Sequence, residues 1–236
     1  MTRISVCIAT YNGEKYLKQQ IDSVISQLNT DDEIVISDDG STDQTIYILE
    51  SYKDERIKIY TNTNKHGVIH NIENALKNST GKYIFLCDQD DVWVDNKVKI
   101  SLEALKNYDL VVSDCFITDE NLNIIQDSFY KQHNSKSNKW LALLRNPYLG
   151  CCLSFKRTVL DLSLPFPKNI PMHDSWIGNV GAFKFKSIFI AEKLIYYRRH
   201  GNNASTTSEP SKASILKQLN FRLPIICGLI RLKNNS

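Results

Sequence analysis

Three features are scarce in this 236-residue chain, and each scarcity removes a class of function. Apolar runs are short. The stretch from Leu223 to Ile230 near the C-terminus is broken by Pro224 and Gly228 and falls far below the roughly 20 residues that a bilayer-spanning helix needs. Excess charge is small: 29 Lys and Arg against 26 Asp and Glu leave +3. With no Arg/Lys stripe interleaved with aromatics, nucleic acid is not an expected partner. Glycine-rich phosphate loops are missing as well. Neither G-x-G-x-x-G nor G-x-x-x-x-G-K-[ST] occurs, so dinucleotide enzymes of the usual kind and P-loop NTPases do not fit. Phosphate bound here would have to be held by metal.

The N-terminus runs from Met1-Thr2-Arg3 straight into Ile4 to Ala9, too short an apolar segment for a signal peptide, so a cytoplasmic location is expected. Cysteine pairing is not expected either. Cys7, Cys87 and Cys115 sit in or at the ends of apolar segments, Cys151 and Cys152 are adjacent, and no C-x-x-C spacing occurs, so they read as small buried apolar residues.

What is present is ordinary material for a soluble core, 42% apolar and 23% charged, arranged in alternating patterns. Apolar runs at Ile4 to Ala9, Glu33 to Ser37, Ile57 to Thr61 and Tyr83 to Cys87 predict strands. Between them, Leu17-Ile21-Val24-Ile25-Leu28, Ile46-Leu49-Tyr52 and Val68-Ile69-Ile72-Ala75-Leu76 recur at helical spacing. Strand and helix in alternation imply a mostly parallel, doubly wound α/β sheet. The turns at the strand ends, Thr10-Tyr11-Asn12, Asp38-Asp39 and Asp88 to Asp91, should then converge on one crevice.

The segment Tyr83 to Trp93 carries the chemistry. Asp88 and Asp90 are alternate residues of an extended segment and so project to the same side. Two carboxylates about 4 Å apart repel by roughly 4 kcal/mol at an effective dielectric constant near 20. A magnesium or manganese ion, which takes carboxylate and phosphate oxygens, removes that penalty.

The alternation fades farther on. A helix through Val98, Leu102 and Leu105 and a strand at Leu110 to Ser113 precede a polar, loop-like stretch from Thr118 to Asn138. Trp140 to Leu144 reads as a short buried helix and Gly150 to Phe155 as a strand. Pro165, Pro167 and Pro171 mark a loop. Asp174 stands near the start of a helix, where its ordinary reading is a cap. Ser187 to Ala191 and Leu194 to Tyr197 are expected to pair as strands that end at His200.

In order along the chain, Ala9-Thr10-Tyr11-Asn12-Gly13, Ser37 to Asp43, Gly81 to Trp93, His173-Asp174-Ser175-Trp176 and Tyr197 to Asn203 resemble the successive motifs of family 2 glycosyltransferases. The resemblance implies a GT-A fold and an inverting, metal-dependent transfer of a sugar from a nucleotide diphosphate donor, UDP- or dTDP-linked. The acceptor would be a hydroxyl of a glycan or lipid-linked molecule, in bacterial O-antigen or capsule synthesis. It places Thr10, Tyr11, Asn12, Asp39, His70, Asp88 and Gln89 with the nucleotide, and Asp90 and His200 on Mn2+ or Mg2+. Asp174 becomes the catalytic base, and Asp91, Trp93, Gly150, His173 and Trp176 lie near the donor or acceptor sugar. His70 stands where many relatives carry arginine, and His173 where many carry glutamate. The pairing of Asp-Gln-Asp-Asp-Val-Trp with His-Asp-Ser-Trp is most similar to rhamnosyltransferase-like members.

On this reading residues 1–115 form the nucleotide-sugar half, 116–205 the acceptor and base half, and 206–236 a linker followed by a basic, apolar segment. That segment, 212–233, either docks on the domain or lies on the inner face of the membrane. The competing function is a sugar-nucleotide-binding module without turnover. A sugar-nucleotide pyrophosphorylase would need a glycine-rich loop followed by Arg and Lys after the first strand, and that loop is missing.

Overall fold

The computed structural model describes residues 3–133, 138–144, 146–201 and 215–233. Its elements in chain order are β1 (Ile4–Thr10), α1 (Leu17–Ile25), β2 (Glu33–Asp38), α2 (Thr45–Ser51), β3 (Ile57–Thr61), α3 (Val68–Asn78) and β4 (Tyr83–Asp88). Then follow β5 (Val92–Trp93), α4 (Lys97–Leu105), β6 (Leu110–Thr118), β7 (Ile124–Gln126), α5 (Phe129–His133) and α6 (Lys139–Leu144). The chain continues through β8 (Leu153–Lys156), α7 (Arg157–Ser163), α8 (His173–Lys184), β9 (Ser187–Arg198) and α9 (Ile215–Lys233).

One sheet joins the nine strands of the described residues, in the order β3-β2-β1-β4-β8-β6-β9-β5, with β7 paired to β6. β3, β2, β1 and β4 are parallel to one another. β8 runs antiparallel to both β4 and β6, and β6 and β9 are parallel again. β1 lies between β2 and β4, and Ile4, Val6, Cys7 and Ile8 are fully buried, as expected of a central strand covered on both faces. The chain leaves β1 in one direction toward β3 and returns to its other side at β4. This reversal opens a crevice beyond the carboxyl ends of β1 and β4, the general ligand position in such sheets.

The far end of the sheet is closed tightly. The Gly81 N–H donates to Ser5 Oγ (2.7 Å), and a Cβ built on Gly81 would lie 2.6 Å from the Ser5 backbone nitrogen. Because backbone cannot rotate away as a side chain can, Gly81→Ala should lower unfolding stability by about 1–3 kcal/mol. Urea denaturation would show this as a lower midpoint at unchanged slope, and an unaltered midpoint would refute it.

The second half departs from expectation in four places. Ser187 to Ala191 and Leu194 to Tyr197 do not pair with each other but form the single strand β9. Its register against β6 jumps from Ser113↔Ile190 to Asp114↔Lys193, so Ala191 and Glu192 form a bulge in place of the expected turn between two strands. The stretch 118–138, expected as loop, contains β7 and α5. Gly150–Cys152 is one 3-10 turn before the short strand β8. α6 forms as expected, yet Trp140 on it is 65% exposed rather than buried.

None of the six cysteines is in a disulfide; five are buried, and Cys227 is exposed. The tail docks. Ile225 on α9 is fully buried, Gly228 lies against the Trp176 ring, and Leu229 and Leu232 pack on the core. The stretch 202–214, with Asn202, Asn203 and the expected linker, lies outside the described residues.

Candidate active site

The crevice is a cavity of about 920 Å3 lined from both halves of the sheet. The end of it beyond β1 and β2 is built on two loops laced together. Thr10 Oγ1 donates to Asp38 Oδ1 (2.9 Å), the Asn12 N–H to Ser41 Oγ (2.9 Å), and the Thr42 N–H to Asn12 Oδ1 (2.9 Å). Asn12 adopts a left-handed backbone at φ 46, a conformation that asparagine tolerates better than most residues. Gln89 completes the clasp, accepting from the Tyr11 N–H (3.0 Å) and donating to the Tyr11 carbonyl (3.1 Å). Tyr11 is left 55% exposed at the cavity wall.

Asp39 is fixed from two sides: Asn62 Nδ2 donates to Oδ1 (2.7 Å) and the Gly67 N–H to Oδ2 (2.8 Å). His66 Nδ1 lies 3.4 Å from the same carboxylate, and His66 also lines the cavity. The expected His70 does not. It sits on α3 one residue before Asn71, and that step turns a helical side chain by about 100°. Asn71 is the residue that faces the cavity, its Nδ2 donating to the Thr10 carbonyl (3.0 Å).

At the opposite wall Asp88, Asp90, His200 and Asp174 open onto the same space. Asp90 Oδ2 and His200 Nε2 are 2.7 Å apart, each side chain only 14% exposed. The centre of the Tyr16 ring lies 4.9 Å from that of His200 and 4.3 Å from the Arg198 guanidinium. Arg198 Nε donates to the Asp90 carbonyl (2.8 Å) and Nη2 to Gln19 Oε1 (2.7 Å). A carboxylate oxygen and an imidazole nitrogen converging at a cavity wall suit manganese or magnesium. Asp88, Asp91 and Cys151 also cluster closely enough to share an ion. However, Asp91 and Cys151 are fully buried and line no part of the cavity, so Asp90 with His200 is the better-placed pair. Burial, then the charges of Asp90 and Asp174, push the Asp88 carboxyl up to about 8.

Asp174 is in the first turn of α8, 6% exposed. It makes no cap: the residue before the helix is Met172, with no side-chain capping bond. Burial pushes its carboxyl up to about 7, opposed by the Ser175 and Gly150 N–H groups and the Asn146 amide. A buried carboxyl poised near neutrality and held by three donors is a competent general base. His173 beside it is 4% exposed, and burial holds it down to about 4, hence neutral. Its Nδ1 has no partner among the described residues. Gly150 leaves the space for this imidazole, since a Cβ there would lie 2.9 Å from His173 Nε2.

Three expected sugar contacts lie elsewhere. Trp176 is 1% exposed, and its Nε1 donates to the Ser163 carbonyl (2.8 Å) beneath α9. Trp93 packs against Phe85 and Lys97. Asp91 Oδ1 accepts from the Arg198 N–H (2.9 Å), tying the turn after β4 to β9. Gly150 and His173 do reach the cavity, as do Lys15, Tyr16 and Glu120, which the motifs did not mark. Lys15 and Glu120 form an exposed ion pair (2.8 Å) across its mouth.

Residues 5–162 match the family described as Glycosyl transferase family 2. The chain is 31% identical over 170 residues to the Escherichia coli UDP-Glc:alpha-D-GlcNAc-diphosphoundecaprenol beta-1,3-glucosyltransferase WfgD, covering 71% of this chain and 64% of that protein. It is 37% identical over 105 residues to the Shigella flexneri dTDP-rhamnosyl transferase RfbG, covering 42% of this chain and 36% of that one. Among solved structures, S. aureus TarS in complex with UDP-GlcNAc aligns at a TM-score of 0.74 and 20% identity, over 97% of this chain and 67% of that one. The Pyrobaculum calidifontis mannosyltransferase PcManGT, in complex with GDP-Man and Mn2+, aligns at 0.65 and 18% identity, over 97% and 64%. The fold they share with this chain is GT-A. A family match over more than half of its length means that this chain belongs to glycosyl transferase family 2.

Proposed function

We propose that the chain is an inverting, metal-dependent glycosyltransferase, moving a sugar from a UDP- or dTDP-linked donor to a hydroxyl of a lipid-linked acceptor in bacterial surface polysaccharide synthesis. The observation that carries this reading is Asp174, a buried carboxyl near neutrality that shares one cavity with Asp39, Asp90 and His200. It would work in the cytoplasm, at the membrane face where such lipids present their sugars. The E. coli relative named for a diphosphoundecaprenol acceptor supports that acceptor class, and RfbG, named for dTDP-rhamnosyl transfer, supports a deoxyhexose as the alternative donor sugar.

Tyr11 would lie against the base, with Asp39 accepting from its imide N–H. Asp174 would take the proton of the acceptor hydroxyl as its oxygen bonds to the anomeric carbon from the face opposite the diphosphate. The glycosidic C–O bond to phosphate breaks in the same displacement, and the nucleoside diphosphate leaves with the electron pair. A divalent ion at Asp90 and His200, when bound, supplies charge neutralisation on the departing diphosphate. His173, kept neutral, can donate one hydrogen bond to a sugar hydroxyl without adding charge beside the base.

A thermal-shift screen of UDP-, dTDP- and GDP-sugars with and without manganese identifies the donor, since a ligand of the folded state raises its melting temperature. NMR of the product then reports the anomeric configuration. Stabilisation by no nucleotide sugar, or a product that retains the donor's configuration, would end this reading. Asp39→Ala should weaken uridine or thymidine nucleotides about 10- to 100-fold, the worth of a charge-assisted hydrogen bond. It should leave the manganese dependence intact, and calorimetry showing unchanged affinity would remove Asp39 from base recognition.

A further inference from the structure

α9 is half docked and half unpartnered. Ile225, Gly228, Leu229 and Leu232 turn inward, whereas Leu223 (52% exposed), Ile226 (37%), Cys227 and Ile230 (58%) form an apolar stripe on the outer side. Their spacing of three and four residues puts them on one helical face. Residues 215–236 include Lys217, Arg222, Arg231 and Lys233 and contain no Asp or Glu. α6 packs against α8 and α9 and carries Trp140, 65% exposed with its ring edge-on to Phe183 at 5.1 Å. No helix among the described residues is long and apolar enough to cross a membrane.

We infer that the outer face of α9, with Trp140 on the adjoining helix α6, is a docking surface for an anionic lipid bilayer, on which the helix lies flat. A stripe of large aliphatic side chains on a helix with positive charge and no negative charge matches a surface that is apolar below and anionic above. An exposed tryptophan suits the headgroup layer. A soluble protein partner would explain the apolar stripe but not the complete lack of acidic residues. The position also fits the reaction. Gly228 is seated against the ring of Trp176, two residues after Asp174, so the membrane-facing helix braces the first turn of α8, which carries the base. Docking there would bring a lipid-linked acceptor to the Asp174 end of the cavity. The inference draws on the lipid-linked acceptor reading for its purpose, not for the binding itself.

Co-sedimentation of the full chain with vesicles of phosphatidylglycerol and phosphatidylcholine, against phosphatidylcholine alone, tests it. The wild type should partition onto the anionic vesicles, less so as salt rises. Leu223→Glu with Ile230→Glu should reduce partitioning about tenfold or more, and Arg231→Glu about fivefold or more. Both positions of the double variant are exposed, so its melting temperature and its nucleotide affinity should not change. If its melting temperature falls, the Arg231→Glu arm decides alone. Equal partitioning of wild type and variants would overturn the proposal, as would wild type that ignores anionic vesicles. So would light scattering showing a dimer that the double variant splits, which would make a second copy the occupant. Vesicle binding involves no turnover, so its failure is read separately from failure of the transferase reading, which the donor screen reports.

Discussion

Asp174→Asn should bind the nucleotide sugar within about threefold of wild type and transfer it about 10^3-fold more slowly, within the range assigned to a positioned general base. The amide keeps the size of the carboxyl and its place among the Ser175, Gly150 and Asn146 donors but cannot accept the hydroxyl proton. Isothermal titration and single-turnover kinetics separate the two quantities. Turnover reduced less than tenfold would mean that another group takes the proton, and equal loss of binding and turnover would mean that Asp174 holds substrate instead.

The same residue sets a pH dependence. Asp174 must be ionised to act, and burial pushes its carboxyl up to about 7. The wild-type rate should therefore rise with pH and level off above about 7, and the variant's residual rate should lack that limb. Stability runs the other way. A carboxyl raised above its unfolded value of 3.8 holds its proton more tightly in the folded chain. Its favourable contribution is complete below that value and is lost as pH rises through about 7. Without ligands, Asp174→Asn should match wild type near pH 4 and be more stable above pH 7, by at most about 4 kcal/mol for a shift of roughly three units. Melting curves at the two pH values check the sign, and an Asn variant less stable than wild type above pH 7 would show that the site does not strain the ionised carboxylate.

The first half of the molecule is legible in the sequence because its information is local. β1 to β4 are near-continuous apolar runs bounded by polar turns, and parallel pairing follows from the helices between them, so the convergence of Thr10, Asp39 and Asp88 follows from the pattern of residues alone. The second half is set by partners distant in sequence. Val92-Trp93 counts as a strand only because β9 pairs with it, and β9 stays one strand because a bulge against β6 absorbs Ala191 and Glu192. The same division holds within the site. Motif residues at strand ends are identifiable, but His66 enters through its approach to Asp39, and Tyr16 through its ring contact with His200. The choice of Asn71 over His70 depends on which way one turn of α3 faces. A signal exists for that choice: Ile72, Ala75 and Leu76 fix the buried side of the helix, and Asn71 lies closer to it than His70 does. Trp93 and Trp176 sit within recognisable motifs yet pack the core, so the aromatic residues of a motif need not touch substrate.

Asp90→Ala should abolish most of the manganese-dependent affinity for a nucleoside diphosphate, a loss on the order of 10^2-fold, while manganese-independent binding through Tyr11 and Asp39 persists. The reason is geometric and electrostatic. Asp90 Oδ2 and His200 Nε2 are the oxygen and nitrogen donors that meet at the cavity wall, 2.7 Å apart and each nearly covered. The Asp90 carboxylate is also the negative charge that draws a cation to the imidazole. Burial raises the Asp88 carboxyl and so disfavours the ionised form that a hard ion takes, which makes it the weaker ligand of the two. His200→Ala should cost less than Asp90→Ala, since water can fill a neutral donor's place in the shell of manganese or magnesium. Calorimetric titration of UDP with and without manganese into wild type and both variants orders these effects. An Asp90→Ala protein that still gains affinity from manganese would remove Asp90 as the ion's ligand and would detach His200 from the diphosphate site.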